Sequence, residues 1–274
     1  MTEHCDLAVV RRVPSSFFEA LRMDEPEHAI DVAKAKEQHD RYVQTLKGIL
    51  PTVLEVAADE ACPDCMFIED TAVVIGATAV ITQPGAPSRR PETRPVRDVL
   101  SGLGLTIVDM SAVNPDALTD GGDVLFTGRE LFVGLSKRTN AAGLEVLKST
   151  FEVLGVPVYG VSVIEGLHLK SVVTFADTDV LVVANNRAGL AAFETIRQLS
   201  KFTYTGIVVP EAAAANVVRA GNTLLVPSGC AASEQLLCDR LSAAITIVRV
   251  ENSEGAKADG ALTCCSLLIR KPVK

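Results

Sequence analysis

Apolar and polar positions alternate in short β-rich runs along this chain, and the runs recur as pairs about every fifty residues. Each pair has the pattern of a β-hairpin, with a turn glycine in three of them at Gly76, Gly128 and Gly221. The residues at the heads of the five hairpins are Asp70, Asp123, Lys170, Asn216 and Cys265, spaced by 53, 47, 46 and 49 residues. Periods of this length are typical of repeat architectures, in which each unit buries its apolar face against its neighbours.

Further segments complete each unit after its hairpin. Apolar residues at mixed three- and four-residue spacings predict helices over residues 141–153, 188–199 and 233–241. Apolar strands are predicted before the next hairpins, over residues 105–109, 157–161, 206–209 and 244–250. The repeated unit is therefore strand, strand, helix, strand.

The two ends of the chain complete one another. Residues 266–270 form only the first strand of a fifth hairpin, and an apolar strand at 7–11 has no partner of its own. A helix over 30–50 and a strand over 53–56 follow it, as they would follow a hairpin. Pairing of the first and last strands would close a ring and remove exposed sheet edges. We predict an α/β fold of five units in a single domain, residues 1–274; an open α/β sheet with irregular connections is the less favoured alternative.

Composition narrows the class of protein. Apolar residues make up 48% of the 274 residues, which is ample for a core. A net charge of −8 argues against a nucleic-acid partner, although an acidic cleft would attract a cationic small molecule. No apolar run is long enough to cross a membrane, and the N-terminal residues lack the pattern of a secretory signal. Seven cysteines make a poor disulfide framework, so we expect a cytoplasmic location.

A candidate nucleophile lies at the last hairpin head. Adjacent side chains at the start of a strand point to opposite faces, so only one of Cys264 and Cys265 can face a central cleft. Buried cysteines are mostly small hydrophobic residues, and we assign Cys265 to the core. A nucleophilic Cys264 would need a cation or a base nearby.

One histidine has the same position in the repeat. His168 stands at the third hairpin head, whereas we expect solvation for the histidine in the charged segment around His39. Asp120 precedes the second hairpin in an Asp-Gly-Gly-Asp segment, which is either a simple turn or the source of a carboxylate that orients a histidine. Together with Cys264, these residues could support acid–base and nucleophilic chemistry.

Acidic and basic residues near the heads indicate the ligand. Glu69 and Asp70, preceded by Asp64, would form an anionic pocket at the centre of a ring. Arg89 and Arg138 occupy equivalent places in successive units, 49 residues apart, and arginine suits a carboxylate. These residues favour a ligand with a cationic end and a carboxylate end, such as an amino acid.

Several long motifs resemble one known family. The segments CPDCMFIEDTAVV, ITQPGAPSRRPE, DGGDVLFTGRELFVGLSKRTN, GLHLKS and DGALTCCS are similar to dimethylarginine dimethylaminohydrolase, a member of the amidinotransferase and arginine deiminase superfamily. The resemblance runs from about Cys5 to Arg270. It implies the pentein fold, a five-bladed α/β propeller of ββαβ units with pseudo-fivefold symmetry.

The resemblance also implies roles for individual residues. Cys264 would be the nucleophile, His168 the general acid and base, and Asp120 the residue that orients it. The substrate-binding residues would be Leu21 in a flexible lid, Asp64, Glu69 and Asp70 for the guanidinium, Arg89 and Arg138 for the amino-acid end, and the backbone of Ala258 and Asp259 for the α-amino group.

The implied reaction is the hydrolysis of N-methylated arginines to citrulline and a methylamine through a covalent thiouronium on Cys264. It needs no cofactor or metal, although Cys264 and His168 could capture inhibitory zinc. The implied partner is a small methylated arginine, the protein would be a monomer or a homodimer, and the activity would relieve inhibition of nitric oxide synthesis.

Two alternatives remain open. One is a regulatory protein that binds arginine derivatives without catalysis, and the other is an arginine deiminase-type enzyme. Deiminases carry a second carboxylate two residues after the histidine, where this chain has Lys170, and this departure favours methylated arginine.

Overall fold

Residues 6–269 are described by the computed structural model, and within them fifteen strands form five three-stranded sheets. The strands are β1 Leu7–Arg11, β2 Thr52–Val56, β3 Ala72–Ile75, β4 Thr78–Ile81, β5 Thr106–Asp109, β6 Val124–Phe126, β7 Leu131–Leu135, β8 Val158–Ser162, β9 Val173–Asp177, β10 Val180–Ala184, β11 Thr205–Val209, β12 Val218–Ala220, β13 Thr223–Pro227, β14 Thr246–Val250 and β15 Leu267–Ile269. The sheet orders are β15-β1-β2, β3-β4-β5, β6-β7-β8, β9-β10-β11 and β12-β13-β14.

Every sheet has the same pairing, and the first one joins the two ends of the chain. The middle strand runs antiparallel to the strand before it in this order and parallel to the strand after it. β1 is the middle strand of its sheet, with Leu7 opposite Ile269 and Val9 opposite Leu267. The predicted five-bladed α/β propeller, with its ring closed by the first and last strands, is therefore confirmed. Cys5 and Arg270, the ends of the region of resemblance, lie outside the described residues.

Among the described residues, five longer helices pack outside the sheets and connect the second and third strands of the units, and two helices of four residues follow β5 and β14. Their bounds are α1 Val32–Ile49, α2 Thr93–Gly102, α3 Met110–Val113, α4 Ala141–Phe151, α5 Arg187–Leu199, α6 Ala231–Arg240 and α7 Ser253–Ala256. The sequence pattern predicts four of these helices to within three residues. It misses the short helices α3 and α7, and also α2, which has Pro91 just before it and Pro95 in its first turn. Proline usually breaks a helix and is tolerated only in the first turn, so a segment with two prolines does not show a helical pattern.

A short 3₁₀ turn leads into the first strand of every hairpin, and we call these five segments the head turns. They are Ile68–Thr71, Gly121–Asp123, Leu169–Ser171, Ala212–Ala215 and Thr263–Cys265. Neighbouring head turns contact one another around the middle of the ring. Because a 3₁₀ turn has three residues per turn, adjacent side chains within it point in directions about 120° apart.

The apolar core lies between the sheets and the helices, and it also contains a histidine. His39 on α1 is buried and stacks on Tyr42, with ring centroids 6.2 Å apart. The expectation that His39 is solvated is therefore wrong, because its charged sequence neighbours lie on the other faces of α1. None of the helices within residues 6–269 has the length and apolar character needed to span a bilayer.

Candidate active site

A cleft opens on one side of the head turns, at the middle of the ring. Three residues at or beside different head turns line it, namely Asp70, His168 and Cys264. The segment 21–23 forms one wall and the loop 258–260 forms another. The fold thus brings together groups that are far apart in sequence.

Cys264 is held by the last head turn, directly before β15. Its sulfur accepts a hydrogen bond from the backbone N–H of Ala261 at 3.4 Å, and the side chain is buried. Burial, together with the negative charges of Glu69 and Asp70, raises the pKa of the Cys264 thiol well above its ordinary value. The resting cysteine is therefore a neutral thiol at neutral pH.

His168 lies opposite a buried carboxylate. Its Nε2 is 3.0 Å from Oδ2 of Asp120, whose Oδ1 accepts a hydrogen bond from the N–H of Gly85 at 2.9 Å. Burial opposes the charged imidazolium, but the carboxylates of Asp70, Asp120 and Asp123 outweigh it and raise the pKa of His168 to about 9. The imidazole is therefore protonated at neutral pH, and Asp120 is placed to orient it.

Gly122 makes room for this imidazole, a role that its place in a Gly-Gly bend does not reveal. A Cβ at Gly122 would lie 2.5 Å from Nδ1 of His168, so any other residue would displace the ring. The N–H of Gly122 also donates to Oδ1 of Asp70 at 2.8 Å. This glycine therefore lets the acid and the imidazole lie close together.

Asp70 is ionised and held by arginine. Its Oδ2 accepts from Nη1 of Arg89 at 2.5 Å. Burial opposes ionisation of Asp70, but His168 and Arg89 together lower its pKa to about 2. Arg89 also donates to both carboxylate oxygens of Glu92 and to the carbonyl oxygen of Phe67. Most N–H groups of Arg89 thus already have hydrogen-bond partners within the protein. Glu92 was not predicted from the sequence as a site residue, although it follows Arg89 by three residues, a spacing typical of ion pairs.

Two further carboxylates bind the backbone of the lid. Oδ1 of Asp64 accepts from the N–H of Leu21 at 3.0 Å, and Oδ2 of Asp259 accepts from the N–H of Met23 at 2.5 Å. Burial raises the pKa of Asp64. The side chains of Leu21 and Met23 are exposed, so the segment 21–23 lines the cleft with its backbone held and its apolar groups facing solvent. That this segment belongs to a flexible lid stays a prediction.

Arg138 and Ala258, two further predicted binding residues, also line the cleft. Arg138 is partly exposed, and its Nη1 is 3.5 Å from Oδ2 of Asp120. Ala258 is buried in the loop that carries Asp259, a residue with a left-handed backbone at φ 55°. An aspartate tolerates this conformation better than most side chains do.

Glu69 is the one predicted substrate-binding residue that does not line this cleft, whereas the predicted orienting residue, Asp120, lies behind His168 and acts through it. The carboxylate of Glu69 lines a different pocket, formed largely by strand residues, and we call this the interior side of the head turns. There its Oε1 accepts a hydrogen bond from Nζ of Lys170 at 2.5 Å. Its Oε2 accepts from the hydroxyl of Thr263 at 2.8 Å. Lys170 therefore does not line the cleft either, and it neutralises Glu69 rather than taking the place of a substrate-binding carboxylate.

A possible cation site involves different atoms from the expected pair. Ligand atoms of Asp70, Asp120 and His168 lie within 4.8 Å of one another. Cys264 does not belong to this cluster, the one candidate metal site found among residues 6–269. The carboxylate of Asp70 is also already paired with Arg89. The predicted inhibitory zinc site at Cys264 and His168 stays a prediction.

The fold and the site define a class of protein: a five-bladed α/β propeller whose central cleft contains a thiol, an imidazolium oriented by a carboxylate, and acids suited to a cationic ligand. The model of the eukaryotic N,N dimethylarginine dimethylhydrolase family matches residues 15–224. The chain therefore belongs to the dimethylarginine dimethylaminohydrolase family, a family of hydrolases.

Individual relatives cover nearly the whole chain. The N(G),N(G)-dimethylarginine dimethylaminohydrolase of Streptomyces coelicolor is 36% identical over 96% of this chain and 97% of its own length. DDAH2 of Bos taurus is 36% identical over 98% of this chain and 96% of its own length. A cysteine-to-serine variant of the Pseudomonas aeruginosa enzyme, solved with citrulline, is 25% identical and has a TM-score of 0.86, covering 97% of this chain and all of that chain.

Proposed function

We propose that this protein hydrolyses asymmetric dimethylarginine and monomethylarginine to citrulline and a methylamine. The observation that carries the proposal is the single cleft that holds a thiol, an imidazolium and buried carboxylates from three different head turns. Relatives of similar length bear the name of this activity, and one was solved with citrulline, its product.

The cleft supports a binding mode for the two ends of the substrate. The guanidinium would lie against the carboxylates of Asp64 and Asp70, which places its central carbon beside Cys264. The α-carboxylate would reach Arg138, which is more exposed than Arg89. The backbone of residues 258 and 259 would bind the α-amino group. The backbone N–H groups of Leu21 and Met23 already donate hydrogen bonds to the carboxylates of Asp64 and Asp259. At least one of these two bonds would therefore have to break when the substrate enters.

The first half of the reaction transfers the amidine carbon to sulfur. The positive charges of the bound guanidinium and of His168 stabilise the thiolate of Cys264, so the thiol releases its proton to solvent and the sulfur attacks that carbon. A carbon–sulfur bond forms, giving a tetrahedral adduct. His168 then donates its proton to the methylated nitrogen, the carbon–nitrogen bond breaks, and the methylamine departs to leave a thiouronium on Cys264.

The second half releases citrulline. The neutral imidazole of His168 accepts a proton from a water molecule as the oxygen attacks the thiouronium carbon. The carbon–sulfur bond then breaks, the new hydroxyl group gives its proton to the departing sulfur, and the ureido carbonyl of citrulline forms as the thiol of Cys264 is restored. Asp120 keeps the imidazole oriented through both proton transfers.

The wider role follows from the substrate. Removal of methylated arginines would relieve inhibition of nitric oxide synthesis. The six cysteines within the described residues are all free thiols, which supports the proposed location in a reducing cytoplasm.

A substrate panel tests this function. Purified protein, kept with a reductant and a metal chelator, is assayed with dimethylarginine, monomethylarginine and free arginine, and citrulline, methylamines and ammonia are measured separately. We expect citrulline and the methylamine in equal amounts. Ammonia from free arginine as the main product would show a deiminase, and binding of dimethylarginine without any citrulline would show a protein that only binds it.

A further inference from the structure

Asn216 is the head residue of the fourth hairpin, and its side chain bonds only to the neighbouring head regions. It follows the head turn Ala212–Ala215 and is buried. Its Nδ2 donates to the carbonyl oxygen of Lys170 at 2.9 Å and to Oγ1 of Thr263 at 3.0 Å. Its Oδ1 accepts from the N–H of Thr263 at 3.0 Å. The amide group thus makes three hydrogen bonds to two different chain segments.

These two segments carry the two reacting groups of the cleft. Lys170 belongs to the head turn that begins directly after His168. Thr263 directly precedes Cys264 in the last head turn. Asn216 therefore joins the segment that holds the imidazole to the segment that holds the thiol.

The connection continues through a second pair of side chains and closes on itself. The hydroxyl of Thr263 donates to Glu69 at 2.8 Å, and Glu69 accepts from the ammonium of Lys170 at 2.5 Å. The path from Lys170 through Asn216, Thr263 and Glu69 returns to Lys170. A closed network of buried, satisfied hydrogen bonds fixes its members more firmly than separate bonds would.

We propose that Asn216 is a positioning residue that sets the distance between the thiol of Cys264 and the imidazole of His168. It does not line the cleft that holds Cys264 and His168, and it lies instead beside a neighbouring pocket that Ala261 and Leu262 also line. Only a carboxamide offers two donors and an acceptor in one plane, as these three bonds require. The proposal rests on the proposed function, because the attack and both proton transfers depend on that distance, and a displacement of 1 Å can cost about 10²-fold in rate.

A matched pair of variants separates positioning from general stability. Asn216→Ala removes all three bonds to the neighbouring segments. Thr174→Val serves as the control, because the hydroxyl of Thr174 bonds to Ala215 and Val217, on either side of Asn216, but not to the segment of Cys264. For both variants we measure kcat and KM for dimethylarginine, the thermal unfolding temperature, and the pH profile of alkylation of Cys264 by iodoacetamide, followed by mass spectrometry.

In Asn216→Ala we expect kcat to fall about 100-fold and KM to change less than about threefold. The midpoint of the alkylation profile should rise by about half a pH unit or more, since the displaced sulfur loses stabilisation by the cationic imidazole. Thr174→Val should keep kcat and the alkylation midpoint, even if it unfolds at a lower temperature. Equal losses in the two variants, or a raised KM with unchanged kcat, would overturn the proposal.

A second pair covers the case in which Asn216→Ala does not fold. Thr263→Val keeps the shape of the side chain but removes the hydroxyl that links Asn216 to Glu69, whereas Thr263→Ser keeps that hydroxyl. We expect Thr263→Val to lose kcat and to shift the alkylation midpoint, and Thr263→Ser to restore both to within about threefold of the original protein. The same deficits in both variants would contradict positioning through the network. If the unaltered protein releases no citrulline, the proposed function fails, while the alkylation profiles still decide whether Asn216 positions the thiol.

Discussion

Charged groups are arranged differently on the two sides of the head turns, although the residues on the two sides are neighbours in sequence. On the cleft side, Asp70 and Asp120 surround the protonated His168. On the interior side, the carboxylate of Glu69 is neutralised by Lys170 in a pocket of about 170 Å³ lined largely by strand residues. The place of a residue in the repeat therefore determines how far it lies from the centre of the ring. Its position within the 3₁₀ turn determines whether its side chain faces the cleft or the interior side.

The largest expected effect distinguishes the two adjacent cysteines. Cys264→Ser replaces the proposed nucleophile with a hydroxyl that does not ionise at neutral pH, so kcat should fall by at least about 10³-fold. Cys265→Ser changes a buried thiol that faces the core and bonds to the carbonyl of Ala261, so kcat should stay within about fivefold. Steady-state citrulline release measures both variants, and a comparable loss in Cys265→Ser would show that the two sides of this turn are not separate.

The next effect distinguishes the two adjacent acids. The negative charge of Asp70 would hold the guanidinium of the substrate, and it also raises the pKa of His168. Asp70→Asn removes this charge, so kcat/KM should fall about 10²–10³-fold. Glu69→Gln leaves Lys170 buried without its partner, so it should mainly lower the free energy of unfolding, by about 3 kcal/mol.

The double variant Glu69→Gln/Lys170→Met is the control for this comparison. It removes both charges of the interior pair and should recover most of the lost stability. Denaturant unfolding and kinetics are measured on all three proteins. If the KM of Glu69→Gln rises as steeply as that of Asp70→Asn, then Glu69 reaches the substrate, as the family resemblance implies.

A smaller effect concerns the pH dependence on the cleft side. In the free protein the thiol is neutral and His168, with a pKa of about 9, is protonated. We expect kcat/KM to rise with pH from about 6 towards about 9, because the thiolate of the free protein forms only at high pH. The bound guanidinium lowers the thiol pKa, so kcat should reach its plateau about one unit lower, a tenfold difference at a given pH. Both should decline only at still higher pH, where His168 is neutral and a further gain in thiolate no longer offsets the lost proton. Superimposable profiles of kcat and kcat/KM would contradict the role of the bound cation.

The smallest effect uses a histidine that is buried away from the cleft acids. Burial lowers the pKa of His39 to about 4, since the charges of Asp40 and Glu55 compensate only in part. A folded-state pKa below the unfolded value of 6.5 means that the unfolded chain binds the proton first. Stability is therefore lost as the pH falls from 6.5 through 4, by up to about 3 kcal/mol. His39→Phe should reduce this acid sensitivity in denaturant unfolding, whereas His28→Ala, at an exposed position, should not. Unchanged acid sensitivity in His39→Phe would contradict this account.

Much of the fold could be predicted from the sequence because each unit repeats a strong local signal. Alternation of apolar residues located the hairpins, and even the unpaired strands at the two ends indicated their pairing. Helix α2 was missed because its prolines obscured the pattern. The head turns were missed because three or four residues are too short to show a periodicity.

The candidate site was predictable in its members but not in their directions. Cys264, His168 and Asp120 were all named from their places in the repeat and from the family motifs, and the structure brings them together. Glu69 was placed with Asp70 because adjacent residues in a turn give no sign of which one faces a cleft. Gly122 and Glu92 were missed, since the first contributes only the absence of a side chain and the second acts through Arg89.

The pairing of β15 with β1 has a consequence for biosynthesis. Cys264 lies in the last head turn, and the strand that anchors it pairs with the first strand of the described chain. During translation the other four units can emerge and collapse while the strand partner of β1 is still missing. Residues up to 269 must therefore leave the ribosome before the ring closes and the thiol meets its imidazole, and a nascent chain has the carboxylates of the cleft long before it has the proposed nucleophile.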